Sequence, residues 1–203
     1  VRLSLSNVSP TLGELDWPPY AQVTETEEEI RSFRMHYLAL LAFCDESLGK
    51  VLDRFDQYDL WKDTMLIVNT DHGYMLGEHG IWKKQNLFEQ TAKQPLLIYA
   101  PGYSGGTPCE EIVEMIDIYP TVAELANLDP PTNIDGKSLA DLLKNPKTSW
   151  NRPAFTQQAR TPNSNYNPIS TELGGTRIFS QIPDFNDPAT IWGRSVRVKR
   201  YRY

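Results

Sequence analysis

Cysteine is scarce: Cys44 and Cys109 are the only two in a chain of 203 residues. Two thiols leave room for one bridge at most, so a disulfide framework is excluded and stability has to come from an apolar core. Cys44 falls inside a helical pattern and reads as a small core residue, whereas Cys109 follows the loop stretch Gly105-Gly106-Thr107-Pro108. Positive charge is also in deficit, with 20 Lys and Arg against 26 Asp and Glu and a net charge of −6. That balance excludes a generic nucleic-acid binder, which displays a basic face. It leaves room for one local cationic pocket that holds a small anion. Apolar runs of membrane-spanning length are missing, as is signal-peptide organisation at the amino end. No internal repeat is visible, so a repeat array is excluded as well. The chain has no starting Met and stops at Arg200-Tyr201-Arg202-Tyr203, which reads as mid-strand; the expectation is a fragment.

What is present suits a globular chain. Hydrophobic residues make up 40%, with ten Tyr, five Trp and seven Phe, enough apolar mass for a sizeable core. Residues 1–23 read as irregular, with Pro10, Pro18 and Pro19. Thr24 and Glu27 have capping-box spacing, and Glu27-Glu28-Glu29 suits the positive end of a helix dipole. An amphipathic helix is predicted from there to about Phe55. Its stripe comprises Ile30, Phe33, Tyr37, Leu41, Cys44, Leu48, Val51, Leu52 and Phe55, at steps of three or four, and reads as a packing face. His36, beside it, reads as a surface or packing histidine.

Met65-Leu66-Ile67-Val68-Asn69 and Leu96-Leu97-Ile98-Tyr99-Ala100 are short apolar runs of the kind buried on both faces in a parallel sheet. A helix over residues 116–127 places Ile118, Val122, Leu125 and Ala126 inward, with Asp117 as its cap and Pro120 in its first turn. A short helix is predicted over residues 138–144, after the turn Asp135-Gly136. Helices alternating with buried strands indicate an α/β layered fold. Residues 145–189 are rich in Pro, Asn, Ser and Thr around Gly174-Gly175 and read as long loops. Residues 195–201 then alternate small or apolar with basic, as one strand of a half-exposed antiparallel sheet does.

The chemistry concentrates in residues 71–84. Asp71 and His72 come directly after the carboxyl end of the first predicted strand, where open α/β sheets bind ligands. A hard divalent cation takes oxygen from Asp71, and His72 adds a nitrogen. Gly73, Gly77 and Gly80 permit a tight loop, and Lys84 ends it as a cation able to face a tetrahedral anion. By itself Asp-His-Gly is equally compatible with an ordinary turn or cap.

The wider pattern resolves this. Residues 71–84 spell Asp-His-Gly-x-x-Leu-Gly-Glu-His-Gly-x-Trp-x-Lys, and Gln94-Pro95-Leu96-Leu97-Ile98-Tyr99-Ala100-Pro101-Gly102 follows. Together they resemble the second signature region of the sulfatases, and within that family the iduronate-2-sulfatase-like branch. Arg34 to Ala39 resembles the family's Arg-x-Tyr-Tyr-Ala helix, Asp117 to Thr121 its Asp-x-x-Pro-Thr helix start, and Asp135 to Leu139 its Asp-Gly-x-Ser-Leu turn. The resemblance runs from about Arg31 to the end and is weakest over residues 145–189.

The resemblance implies an α/β fold of the alkaline-phosphatase superfamily: part of a helix-flanked mixed or parallel sheet, plus the start of a small antiparallel carboxy-terminal sheet. Residues 1–150 then form the downstream part of the catalytic domain, and residues 151–203 a loop-rich segment with the first strand of a truncated carboxy-terminal subdomain. It implies hydrolysis of sulfate esters, on sulfated carbohydrate, by a calcium-dependent enzyme. Asp71 and His72 fall on its metal positions, His72 where many relatives have Asn; Lys84 falls on its sulfate-contacting catalytic lysine. Tyr74, His79, Gln157 and Arg160 lie where substrate contacts are expected, although a solvated loop is the better account of Gln157 and Arg160, and a loop-stabilising hydrogen bond accounts at least as well for His79. The family's nucleophile is a formylglycine made from Cys in Cys-x-Pro-x-Arg. Here the cysteines stand in Cys44-Asp45-Glu46-Ser47-Leu48 and Cys109-Glu110-Glu111-Ile112-Val113, so the nucleophile and further metal ligands are expected upstream, on a missing amino-terminal part of the same protein. Relatives are mostly secreted, periplasmic or lysosomal. A phosphatase or phosphonate monoester hydrolase of the same superfamily and a catalytically inactive fragment are the alternatives.

Overall fold

The computed structural model describes residues 26–84, 86–160 and 191–203. The expectations for residues 1–23, for Thr24 as a cap and for the loop around Gly174-Gly175 lie outside them.

The first element, α1 (Glu27–Gln57), opens with a capping box two residues later in register than Thr24 and Glu27. Thr26 donates its backbone N–H to Glu29 Oε2 at 2.7 Å, and Glu29 N–H returns to Thr26 Oγ1 at 3.3 Å. Both Thr-x-x-Glu frames exist in Thr24-Glu25-Thr26-Glu27-Glu28-Glu29, and the box observed is the one with two further acidic residues in the first turn. Of the predicted stripe only Phe55 is buried; Phe33, Leu41 and Val51 are exposed, as is Cys44. Cys44 is therefore no core residue here, because nothing among the described residues covers its face of α1. Both thiols are free, and His36 sits on the surface with Nδ1 2.7 Å from Ser32 O.

Strand β1 (Leu66–Asn69) is followed by the short strands β2 (Met75–Leu76) and β3 (Trp82–Lys83), then α2 (Glu89–Ala92) and β4 (Leu96–Tyr99). Next come α3 (Ile118–Leu125), α4 (Ala140–Lys144), β5 (Ala154–Arg160) and β6 (Ile191–Arg197). The α/β class holds. The expectation that β1 and β4 are doubly buried strands of a parallel sheet does not: they pair with each other antiparallel, Leu66 opposite Tyr99 and Asn69 opposite Leu96. Among the described residues each has one hydrogen-bonded neighbour, so both are edges, and Leu97 is 59% exposed. β5 falls where loop was expected. Its sequence, Ala-Phe-Thr-Gln-Gln-Ala-Arg, carries too little apolar alternation to announce a strand. At the carboxyl end β6 stops at Arg197, the chain turns, and Val196 and Tyr203 exchange backbone hydrogen bonds at 2.9 Å across an antiparallel bridge.

Two compact units divide the chain. One comprises the described residues within Val1–Leu40, His72–Ala92 and Gln157–Gly193; the other comprises Leu41–Asp71, Lys93–Thr156 and Arg194–Tyr203. In the second, Leu139, Leu142 and Trp150 form a buried cluster with Leu96, Ile98 and Val113 against it. Helix α3 turns Pro120, Thr121 and Ala123 inward; Ile118, Val122 and Leu125 are half-buried and Ala126 is exposed, so the buried face is rotated from the predicted one. Asp117 does not cap α3 with its side chain. It is buried, with Oδ2 accepting from Glu114 N–H at 2.9 Å and Oδ1 from Lys137 N–H at 2.8 Å and Arg152 at 3.2 Å. Gly136 lies so close that an added Cβ would stand 2.0 Å from Ile116 O, which is why the turn takes glycine. No helix among the described residues is long and apolar enough to cross a membrane.

Candidate metal and anion site

Residues 72–84 form a hairpin loop in the first unit. β2 and β3 pair antiparallel, Met75 opposite Lys83 and Leu76 opposite Trp82. Gly77 (φ 99°) and Gly80 (φ 70°) supply left-handed turns, and the Gly77 position is also filled from outside by the Trp82 ring, 3.3 Å from where a Cβ would be. Met75, fully buried, anchors the loop. The amino-terminal half of α1 grips the same hairpin. Arg34 Nε donates to Leu76 O at 2.9 Å, Phe33 packs on Trp82 at 5.5 Å, and Tyr37 stacks on Tyr74 at 5.5 Å. Glu78 Oε2 accepts from Leu76 N–H at 2.6 Å.

Within this frame His72 and Lys84 meet. His72 Nδ1 stands 2.9 Å from Gly73 O, and Lys84 Nζ stands 2.7 Å from His72 Nε2. A carbonyl only accepts and an ammonium only donates, so the ring carries its proton on Nδ1 and offers a lone pair at Nε2. Gly73 is itself fixed, its N–H donating to Thr91 O at 2.7 Å. Lys83, at φ 73°, bends the chain immediately before Lys84.

Asp71, exposed, is the residue before His72 and belongs to the second unit, where Gln94 Nε2 donates to its carbonyl oxygen at 3.1 Å. Tyr74 is half-buried against Tyr37; His79 is exposed, left-handed (φ 57°) and stacked on Phe88 at 4.6 Å. Gln157, exposed, lies on β5, which Arg160 closes. The structure thus brings His72 and Lys84 into direct contact and sets Tyr74 and His79 in the same hairpin. Arg34 and Glu78, which hold Leu76 from both of its peptide groups, escaped the reading of single residues. The available signal was Arg34 lying between two aromatics, Phe33 and Tyr37, that face the hairpin. Among the described residues no cluster of three His, Cys, Asp or Glu side chains forms a complete metal site.

The sulfatase family model matches residues 13–128. Human arylsulfatase K is 30% identical over 197 residues, covering 88% of this chain and 36% of the relative. Among solved structures, the phosphonate monoester hydrolase of Silicibacter pomeroyi superposes with a TM-score of 0.65 at 30% identity, over 71% of this chain and 29% of that one. A protein solved with its substrate D-glucosamine-2-N,6-O-disulfate shares the fold, at a TM-score of 0.62 and 22% identity over 82% of this chain and 30% of that one. The chain spans between 29% and 36% of the length of these relatives. With the match extending over more than half of its residues, the chain belongs to the sulfatase family.

Proposed function

We propose that this chain is the downstream, metal-binding and anion-holding part of a sulfuric-ester hydrolase acting on sulfated carbohydrate. The observation that carries the reading is the Lys84 ammonium 2.7 Å from an imidazole whose neighbour in sequence is a carboxylate, Asp71. A carboxylate oxygen and a neutral imidazole nitrogen are a chemically suitable donor pair for a divalent cation, calcium by family. Two donors are half a site, so the remaining ligands and the formylglycine nucleophile belong to the part of the enzyme that precedes residue 1. Cys44 and Cys109 lack its sequence setting. When bound, such a cation supplies Lewis-acid polarisation of the sulfate group.

The chain's own residues do the rest. Gly73 O holds the His72 ring in one tautomer, so Nε2 is presented as a lone pair. Lys84 brings a positive charge to oxygens that gain negative charge as the ester breaks. Tyr74 and His79 flank the approach, and Gln157 and Arg160 serve the sugar. The His72 variant of the metal pair supports the iduronate-2-sulfatase-like branch. Residues 1–150 act as part of the catalytic domain and residues 151–203 as the beginning of the carboxy-terminal subdomain. The compartment is secreted, periplasmic or lysosomal, as family resemblance suggests.

A second reading is phosphonate or phosphate monoester hydrolysis, favoured by the 30% identical phosphonate monoester hydrolase neighbour. Assay of the full-length enzyme on paired sulfate and phosphonate monoesters separates the two. Asp71→Ala is expected to lower kcat/KM for the sulfate ester by about a thousandfold, the size of losing a transition-state charge contact. Retained sulfatase activity in that variant defeats the metal assignment, and a preference for the phosphonate moves the function to the second reading.

A further inference from the structure

We infer that Lys84 occupies the metal-binding lone pair of His72 and that a divalent cation must displace it, so that metal loading releases the lysine for its anion. This rests on the reading of His72 as a metal ligand. The neutral ring has one in-plane lone pair outside its N–H, at Nε2, because Gly73 O holds the proton on Nδ1. Lys84 Nζ already donates to it at 2.7 Å. One lone pair serves one partner, so cation and ammonium are alternatives at that atom. The ring is the fixed member: its anchor, Gly73, is tied through its own N–H to Thr91 O at 2.7 Å. Lys84 is the movable one, exposed and on a flexible four-carbon stem. A dipositive ion at Nε2 also repels the ammonium, which drives the exchange in the same direction. Once displaced, the ammonium has lost its acceptor while remaining tethered within a side-chain length of the ion. A tetrahedral oxyanion bound beside Lys84 would then offer it a replacement acceptor. Anion contact by Lys84 is thereby coupled to metal occupancy.

The test is calcium titration of the full-length enzyme that contains this chain and the remaining ligands, followed by the His72 side-chain nitrogen resonances, which need no turnover. Wild type is expected to start with a protonated Nδ1 and an acceptor Nε2, and calcium to shift Nε2. Lys84→Met removes the competitor and the like charge and is expected to tighten calcium binding about tenfold. Lys83→Met removes the same charge one residue away and is expected to change the affinity by less than about twofold, as a screened surface charge does. Equal affinity in wild type and Lys84→Met overturns the displacement while leaving His72 a ligand. Equal tightening by Lys83→Met also overturns it, since general charge then explains the effect. If calcium moves the His72 resonances in neither protein, both the displacement and the metal reading fall.

Discussion

Asp117 shows what a single residue contributes. Its carboxylate is 1% exposed and accepts two backbone N–H groups, from Glu114 and Lys137, and one Arg152 nitrogen. Replacement by Ala leaves two N–H groups and a half-buried guanidinium without that acceptor. The expected loss is about 3 kcal/mol of unfolding free energy, the range for breaking a buried pair on one side. Urea denaturation measures it, and a loss below about 1 kcal/mol would show that water replaces the carboxylate. The sequence marked Asp117 as important, through the Asp-x-x-Pro-Thr pattern, and assigned it to the nearest helix end. Its partners lie as far as 35 residues away, at Arg152, which local spacing does not reveal. His72 and Lys84 follow the opposite course. Their residue types and position in the motif were legible, but the contact between them depends on the left-handed turns at Gly77 and Gly80 that close the hairpin.

Helix α1 is the clearest case at the scale of an element. Three acidic residues announced its start, but the sequence pattern placed the capping box at Thr24 and Glu27, whereas among the described residues it forms at Thr26 and Glu29. In the observed box the Thr26 backbone N–H, followed by its hydroxyl, holds the Glu29 carboxyl below its ordinary value. A lowered folded value means the cap contributes above the unfolded glutamate pKa and is lost as pH falls through the folded one. Acidification is therefore expected to lower the protection of the amides in the first turn of α1, measured as their exchange relative to the intrinsic rate at each pH. Glu29→Gln should flatten that dependence, because the amide does not titrate in this range. An unchanged acid response in Glu29→Gln would assign the effect to other carboxylates. Among the strands, β1 and β4 were legible as apolar runs while their direction was not, since strand direction is set by which neighbours are available to pair. β5 was missed because its residues are mostly polar and its pairing with β6 bridges the 30 positions between Arg160 and Ile191.

Across the whole molecule, apolar surface remains uncovered. Of the 31 residues of α1 only Phe55 is buried, and Leu38 and Phe43 are 61% and 65% exposed. Trp82 and Trp150 bury indole N–H groups that find no partner among the described residues. Exposed apolar residues of this size, together with the edge strands β1 and β4, favour association. The isolated chain is expected to sediment as a concentration-dependent mixture, and Leu38→Glu with Phe43→Glu to shift it toward monomer. A wild-type chain that stays monomeric at all concentrations would refute this. The sequence by itself determined the α/β class, the family, and the residue types gathered in the 71–84 motif, because each is written in local spacing or in side-chain chemistry. Only the tertiary structure decided which face of each helix is buried, how β1 meets β4, and that Lys84 sits on His72. Those outcomes depend on which distant segments are present to supply a hydrogen-bond partner or exclude water, and no stretch of local sequence encodes that.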